Sequence, residues 1–344
     1  MGYTVDGKDF AAYKTITPTR PTAALTDYPL KVGIVADANV GGRCLSTGAD
    51  VRFTLADGTL LYSEKNDFLI TAGAATGNFW VNVPSLPSDA DTVINMYYGC
   101  PTAAAQANPE LTWNANYAAV YHCEQDPSGA APQVLDSTAN AKHLTTVGTM
   151  TTGDLVAAKV GSGLDLDGTN DGAWGDLWTD QQTNVHMTYW ELPTAGIDAE
   201  QMAMHNGVDM YGWGAGICGT SRAALFDMIA WCFDGLWSGG VWDHIAWGRD
   251  ATTWAGYLNG AVVDGWTSTT GVRNPVTCSS IGFVYPNIRP VTGVVDELRM
   301  LLIAPSTPLI AYDYLTQNTA AGGLTWGAET ESVAYNIPIG IMMV

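Results

Sequence analysis

The residues of this sequence best placed to do chemistry are acidic, and they fall in four short stretches. "VGSGLDLDGTND" (Val160–Asp171) sets Asp165, Asp167, Asn170 and Asp171 among glycines, and "GVVDELRM" holds Asp296 beside Glu297. "HCEQD" holds Glu124 two residues before Asp126, and "YWELP" holds Glu191 alone. Carboxylates spaced like this can hold a hard cation or work in pairs on a glycosidic bond.

A cation is the first use to weigh. An EF-hand loop needs glycine at its sixth position and a bidentate glutamate at its twelfth. Counted from Asp165, glycine comes fourth and the twelfth residue is Asp176, so that reading fails. Tandem G-G-x-G-x-D repeats are absent as well. Strand alternation predicts Leu164 and Leu166 on a core face, with Asp165 and Asp167 outward. Asp167, Asn170 and Asp171 then share a turn, where they offer oxygens to calcium or bond their own backbone; the second use is the commoner for Asp and Asn. Asp296 is the further ligand expected if calcium is held.

Catalysis makes stricter demands. A retaining glycosidase needs two carboxylates about 5–5.5 Å apart, and an inverting one sets them wider. Asp296 and Glu297 are strand neighbours, so their side chains are expected on opposite faces and not as a pair. Glu124 and Asp126 share a face if their strand continues, but no third acid accompanies them. No E-x-D-x-x-E occurs, "GTSRA" is not a nucleophile elbow, and the five histidines form no H-E-x-x-H. The expectation is a protein that binds and does not catalyse. Ten of the thirteen tryptophans fall between Trp174 and Trp266. Indole faces stack on the C–H faces of sugars. Trp178, Trp213 and Trp237 lie in Gly/Asp-rich text and are the predicted ligand platform. Trp190, Trp231, Trp242 and Trp247 lie in strand-like runs and are predicted core.

The elements that would position these groups are short strands. Hydrophobic residues make up 47% of the 344 and charged residues only 14%, enough to bury a sizeable core. Strand-like runs recur between turn signals, among them Asp57-Gly58 and Asn259-Gly260, dipeptides suited to hairpin turns. A net charge of −20 disfavours nucleic acid and anionic membranes as partners. No apolar run approaches the roughly eighteen residues of a membrane span. Six scattered cysteines with no C-x-x-C are expected as buried thiols.

The predicted architecture is all-β, with two β-sandwich domains. Residues 1–25 read as an extended arm, 26–112 as a small sandwich, 117–330 as a larger one, and 331–344 as an apolar tail. "PTAAAQANPELTWNAN" marks the boundary, with a short helix expected after Asn108-Pro109.

"KVGSGLDLDGTND", "WDHIAWGRDATTWAGYLNGAVV" and "GVVDELRM", followed by "YDYLTQN", resemble the laminin-G-like, concanavalin A-like jelly rolls of bacterial surface and phage virion proteins. "GADVRFTLADGTLLYSE", "FWVNVPSLP" and "INMYYG" resemble an uncharacterised β-sandwich domain found before such jelly rolls. The resemblance implies a lectin-like jelly roll, a rim cation that would be calcium, and display outside cells. The opening "MGYTVDGKDFAAYKT" has neither the basic start nor the apolar core of a secretory signal. The function expected is therefore a non-enzymatic bacteriophage virion surface protein, a tail fibre or capsid decoration. Its partners would be a host-surface glycan and other virion subunits, or further copies of itself, met through the arm and the tail. The alternatives are a bacterial cell-surface adhesion module and a polysaccharide-degrading glycosidase.

Overall fold

The computed structural model describes residues 2–194, 200–208, 211–218, 222–227, 229–233, 239–267 and 275–332. Its regular structure is almost all antiparallel strand, so the all-β expectation holds.

The first unit packs a three-stranded sheet (Leu25–Asp37, Ala74–Leu86, Ser63–Thr71) on a six-stranded one. Leu30, Val32, Phe53, Phe79, Val81, Ile94 and Met96 fill the space between them. Asp57-Gly58 turns between Arg52–Leu55 and Leu60–Leu61, and Gly58 takes a positive φ of 88°. The expected short helix is a 3-10 turn, Pro109–Thr112.

The N-terminal stretch is not a free arm. Tyr3–Val5 pairs with Lys8–Phe10, and Ala12–Pro18 is an inner strand of the six-stranded sheet. One of its neighbours is Ile94–Tyr98; the other is the end of the described chain, Leu324–Trp326 and Thr330–Glu331. The reason is alternation in "AYKTITP": Ala12, Lys14, Ile16 and Pro18 turn inward. The prolines that read as arm signals only close this strand. The predicted tail also starts differently, since Glu331 is in that sheet; residues 333–344 lie outside the described residues.

The second unit faces an eight-stranded sheet with a seven-stranded one. Leu164, Leu166, Met187, Tyr189, Trp213, Trp247, Trp254 and Leu298 form its core. Leu164 and Leu166 point inward while Asp165 and Asp167 stay exposed, as alternation predicts. Asn259 and Gly260 both have positive φ, the signature of the predicted type I′ turn. The helix Thr307–Gln317, capped by Ser306, packs between the units and leads the chain back to the first sheet. Gly33 permits that return, because a Cβ there would sit 1.9 Å from the Ala320 carbonyl oxygen.

A buried polar network joins the units. Arg299 lies over Trp80 (4.2 Å) and Trp113 (5.1 Å), donates to Glu297 at 2.8 Å and stands 3.8 Å from Asp313. Glu297 also meets His122 Nδ1 at 2.7 Å. Glu64 of the first unit accepts from Trp113 Nε1 (2.6 Å) and the Ser137 hydroxyl (2.7 Å). Tyr28 donates to Asp313 at 2.7 Å. Burial works against charge on His122, but Glu297 and Glu64 outweigh it and raise its pKa to about 10.

Asp296 and Glu297 correct the expected geometry. Glu297 has a φ of +52°, and the register against Val185–Pro193 shifts between Thr188 and Trp190. This bulge resets the alternation, so Val295 and Leu298 both face the core while Asp296 and Glu297 both face the joint.

Candidate functional site

At one rim of the second unit the segment after Gly172–Gly175 borders an open hollow of about 480 Å³. Lys142, Asp176, Leu177, Trp178, Thr179, Asp180 and Thr277 line it. Buried polar groups hold the segment from beneath. The Trp178 backbone N–H donates to Ser279 Oγ (2.9 Å) and Asn206 Oδ1 (3.2 Å), and Asn206 Nδ2 donates to the Thr179 carbonyl at 3.0 Å. Ser279 Oγ donates to Asn206 Oδ1 at 2.7 Å. The indole N–H of Trp178 donates to the Tyr121 hydroxyl at 2.8 Å, and that hydroxyl donates to the Lys142 carbonyl. Asn206 is fully buried, so its bonds to the loop stand in for water that cannot reach it.

Four residues before Trp178, Trp174 points away from the core that buries Ala173 and is 38% exposed. Tyr285 packs against it with ring centroids 5.2 Å apart. The rim therefore combines a fixed loop, exposed Asp176 and Asp180 carboxylates and a half-buried Lys142, and the exposed Trp174 lies on the strand that leads into that loop.

The predicted platform is corrected in part. Trp178 and Trp213 are 4% and 1% exposed, so neither offers a stacking face. Trp178 is the floor of the hollow, held by its own N–H, and Trp213 belongs to the core between the sheets. Trp237 lies outside the described residues. Trp174, Asp176, Asp180 and Lys142 were missed. Alternation across "GAWG" was the available signal, since Ala173 inward requires Trp174 outward.

The calcium ligands do not come together. Asp167 Oδ1 accepts from the backbone N–H groups of Thr169 (2.7 Å), Asn170 (3.1 Å) and Asp171 (3.4 Å), the self-bonded turn described above. Asp171 is buried and accepts from Thr149 N–H at 2.9 Å. Thr292 stands opposite Asp167 in the ladder, four residues along the strand from Asp296, which faces the joint and accepts from Val160 N–H at 2.8 Å. Among the described residues no three His, Cys, Asp or Glu side chains gather as cation ligands. This donor set does not fit calcium.

The other acids are also placed apart. The strand Tyr117–Tyr121 ends before Glu124, which accepts from Asn66 (2.8 Å) and Ser162 N–H (3.0 Å), while Asp126 caps the Ser128 turn. Glu191 and Asp243 are cross-strand partners, 0% and 4% exposed. That pairing depends on register and has no sequence signature.

Replacing Asn206 with alanine leaves the Thr179 carbonyl without its buried partner and the Trp178 backbone N–H with Ser279 Oγ alone. We expect a stability loss of about 1–3 kcal/mol, with faster amide exchange across 176–180 than in the neighbouring strands. Unchanged exchange there would show that Asn206 does not hold the loop.

Residues 47–126 match the profile of a domain of unknown function, DUF2341. No curated protein matches the sequence. Among solved structures, domain 4 of an extracellular GH43 arabinanase from Geobacillus stearothermophilus, in complex with arabinotriose, is similar at 18% identity and a TM-score of 0.46. That match covers 59% of this chain and 99% of that domain. The binding domain of Paraclostridial Mosquitocidal Protein 1 is similar at 13% identity and a TM-score of 0.45, covering 58% and 52%. The ligand-binding domain of botulinum neurotoxin serotype D, in complex with N-acetylneuraminic acid, is similar at 12% identity and a TM-score of 0.44, covering 58% and 50%. The chain spans about half the length of these two toxin domains.

Proposed function

We propose that this protein is a non-enzymatic glycan-binding surface module, and that the hollow around Trp178 receives the sugar. The supporting observation is a polar hollow fixed by buried Asn206, Ser279 and Tyr121, with exposed Trp174 on the strand that leads into its lining loop. Carboxylates and an ammonium suit hydroxyl recognition, and an open indole suits a pyranose face. Such a loop gives up little freedom on binding, which favours affinity. The absence of catalysis is part of the proposal: Glu124 and Asp126 serve separate loops, and Glu191 and Asp243 are enclosed.

A glycan array probed with the full chain, with and without EDTA, tests this reading. Binding that survives EDTA and drops about fivefold in Trp174→Ala, as expected for a lost stacking contact of about 1 kcal/mol, is the predicted result. No hit under either condition from folded protein would remove the glycan. Reducing-end release that disappears in Glu191→Gln would replace the module with a glycosidase.

The finer proposal places the module on a bacteriophage virion, and it rests on the resemblance of the second unit. Since the arm is built into a sheet, this proposal no longer uses it for assembly. Mass spectrometry of purified particles tests it; the chain at structural copy number is expected, and recovery only from bacterial cell surfaces would favour the adhesion module.

A further inference from the structure

The charges that line the rim hollow are unequal. Asp176 and Asp180 flank Trp178 in the lining loop, and both are exposed. Neither side chain is drawn into a hydrogen bond or ion pair among the described residues. Lys142 carries the only positive charge among the described residues of the lining.

A third acid stands behind that lysine. Asp136 Oδ2 accepts from the Lys142 backbone N–H at 2.8 Å and from the Thr138 hydroxyl at 2.9 Å. Its Oδ1 accepts from the N–H groups of Val120 (2.9 Å) and Thr138 (3.0 Å), and the residue is buried. The Trp178 N–H, a donor that an anion could use, is taken by Ser279 and Asn206 on the buried side. The hollow is therefore negative in sign and rich in free acceptors, and a chain of net charge −20 adds to that sign at longer range. Such a surface repels a carboxylate and attracts an ammonium, which it can meet with charge-assisted hydrogen bonds.

We infer that the hollow selects sugars carrying a free amine, hexosamines in their ammonium form, and rejects sugars carrying a carboxylate. This rests on the glycan reading of the same hollow and adds the chemical class of its ligand. Asp176 and Asp180 set the preference, because their oxygens are the unused acceptors of the lining and an ammonium is purely a donor. Rejection of the acidic sugar is the repulsive half of the same device. N-acetylation keeps the ring hydroxyls and removes the charge, so the acetylated sugar is the matched neutral comparison.

Calorimetric titration of the full chain with the disaccharide of glucosamine, its N-acetylated twin and the disaccharide of galacturonic acid tests this. At about pH 6 the amines are protonated and the acids ionised. The glucosamine disaccharide is expected to bind at least about tenfold more tightly than its acetylated twin, and the galacturonic acid disaccharide more weakly than either. Asp176→Asn combined with Asp180→Asn should bring the glucosamine preference close to one, with an unchanged urea midpoint. Asp9→Asn combined with Asp89→Asn removes the same charge from exposed positions of the first unit and should leave the preference intact. A preference that survives the hollow variant would overturn the inference and mark a general attraction to an acidic protein. Equal or tighter binding of the acetylated or the acidic disaccharide would also overturn it, while the glycan reading stands. If none of the three binds but the array yields other sugars, the inference alone falls; a blank array from folded protein removes the glycan reading with it.

Discussion

Replacing Arg299 with methionine is expected to lower unfolding stability by about 3–5 kcal/mol, read as a fall in the urea midpoint. The side chain is 1% exposed and balances two buried acids, Glu297 at 2.8 Å and Asp313 at 3.8 Å. Methionine keeps much of the volume against Trp80 and Trp113 but leaves those carboxyls facing only His122 and Tyr28. The expected loss therefore comes from uncompensated buried charge and not from a cavity. Adding Glu297→Gln to Arg299→Met should recover part of it, since fewer charges are then stranded. Arg20, paired with Asp91 at 2.8 Å with both side chains about half exposed, is the control. Arg20→Met should leave the urea midpoint nearly unchanged, because a solvent-exposed ion pair adds little to stability. Equal effects at the two sites would show that the joint is not an energetic centre of the fold.

The second large effect depends on pH. Burial, then the adjacent Asp243, raises the Glu191 pKa from 4.5 to about 8. The folded state favours the neutral carboxyl, so nothing is lost below the unfolded pKa. As pH rises from about 4.5 to about 8, ionisation is favoured in the unfolded chain and stability falls, by roughly 5 kcal/mol in full. Glu191→Gln cannot ionise and should remove that slope, so its advantage over the parent should grow between about pH 5 and about pH 8. The comparison cancels other groups that titrate in the window. Among these, His186 and His244 are held neutral by burial, with pKa values near 4 and 3, and they stabilise the fold as pH rises toward 6.5. Equal midpoint differences at both pH values would show that Glu191 is charged in the fold.

Much of this architecture was legible in short-range pattern. Alternation placed Leu164 and Leu166 inward, and two turn dipeptides fixed hairpins, because these features depend on neighbours a few residues apart. The strand Ala12–Pro18 was hidden by its flanking prolines, although its own alternation is clear. What sequence could not supply was register. The bulge at Glu297 turned two expected opposites into neighbours, and the Glu191–Asp243 pairing joins strands 52 positions apart by the ladder alone. At the site, composition pointed to tryptophan, but exposure depends on the partners beneath. Trp178 is consumed by Tyr121, and Trp174 is left open.

On the proposed function, the rim hollow recognises sugar through a fixed loop. Titration calorimetry of the strongest array ligand, with the full chain and Asp180→Ala side by side, tests it most directly. Loss of a charged hydrogen bond of about 1.5–3 kcal/mol predicts at least tenfold weaker binding with the fold intact. Affinity that does not change in Asp180→Ala would place the ligand elsewhere and remove the rim hollow as the sugar site.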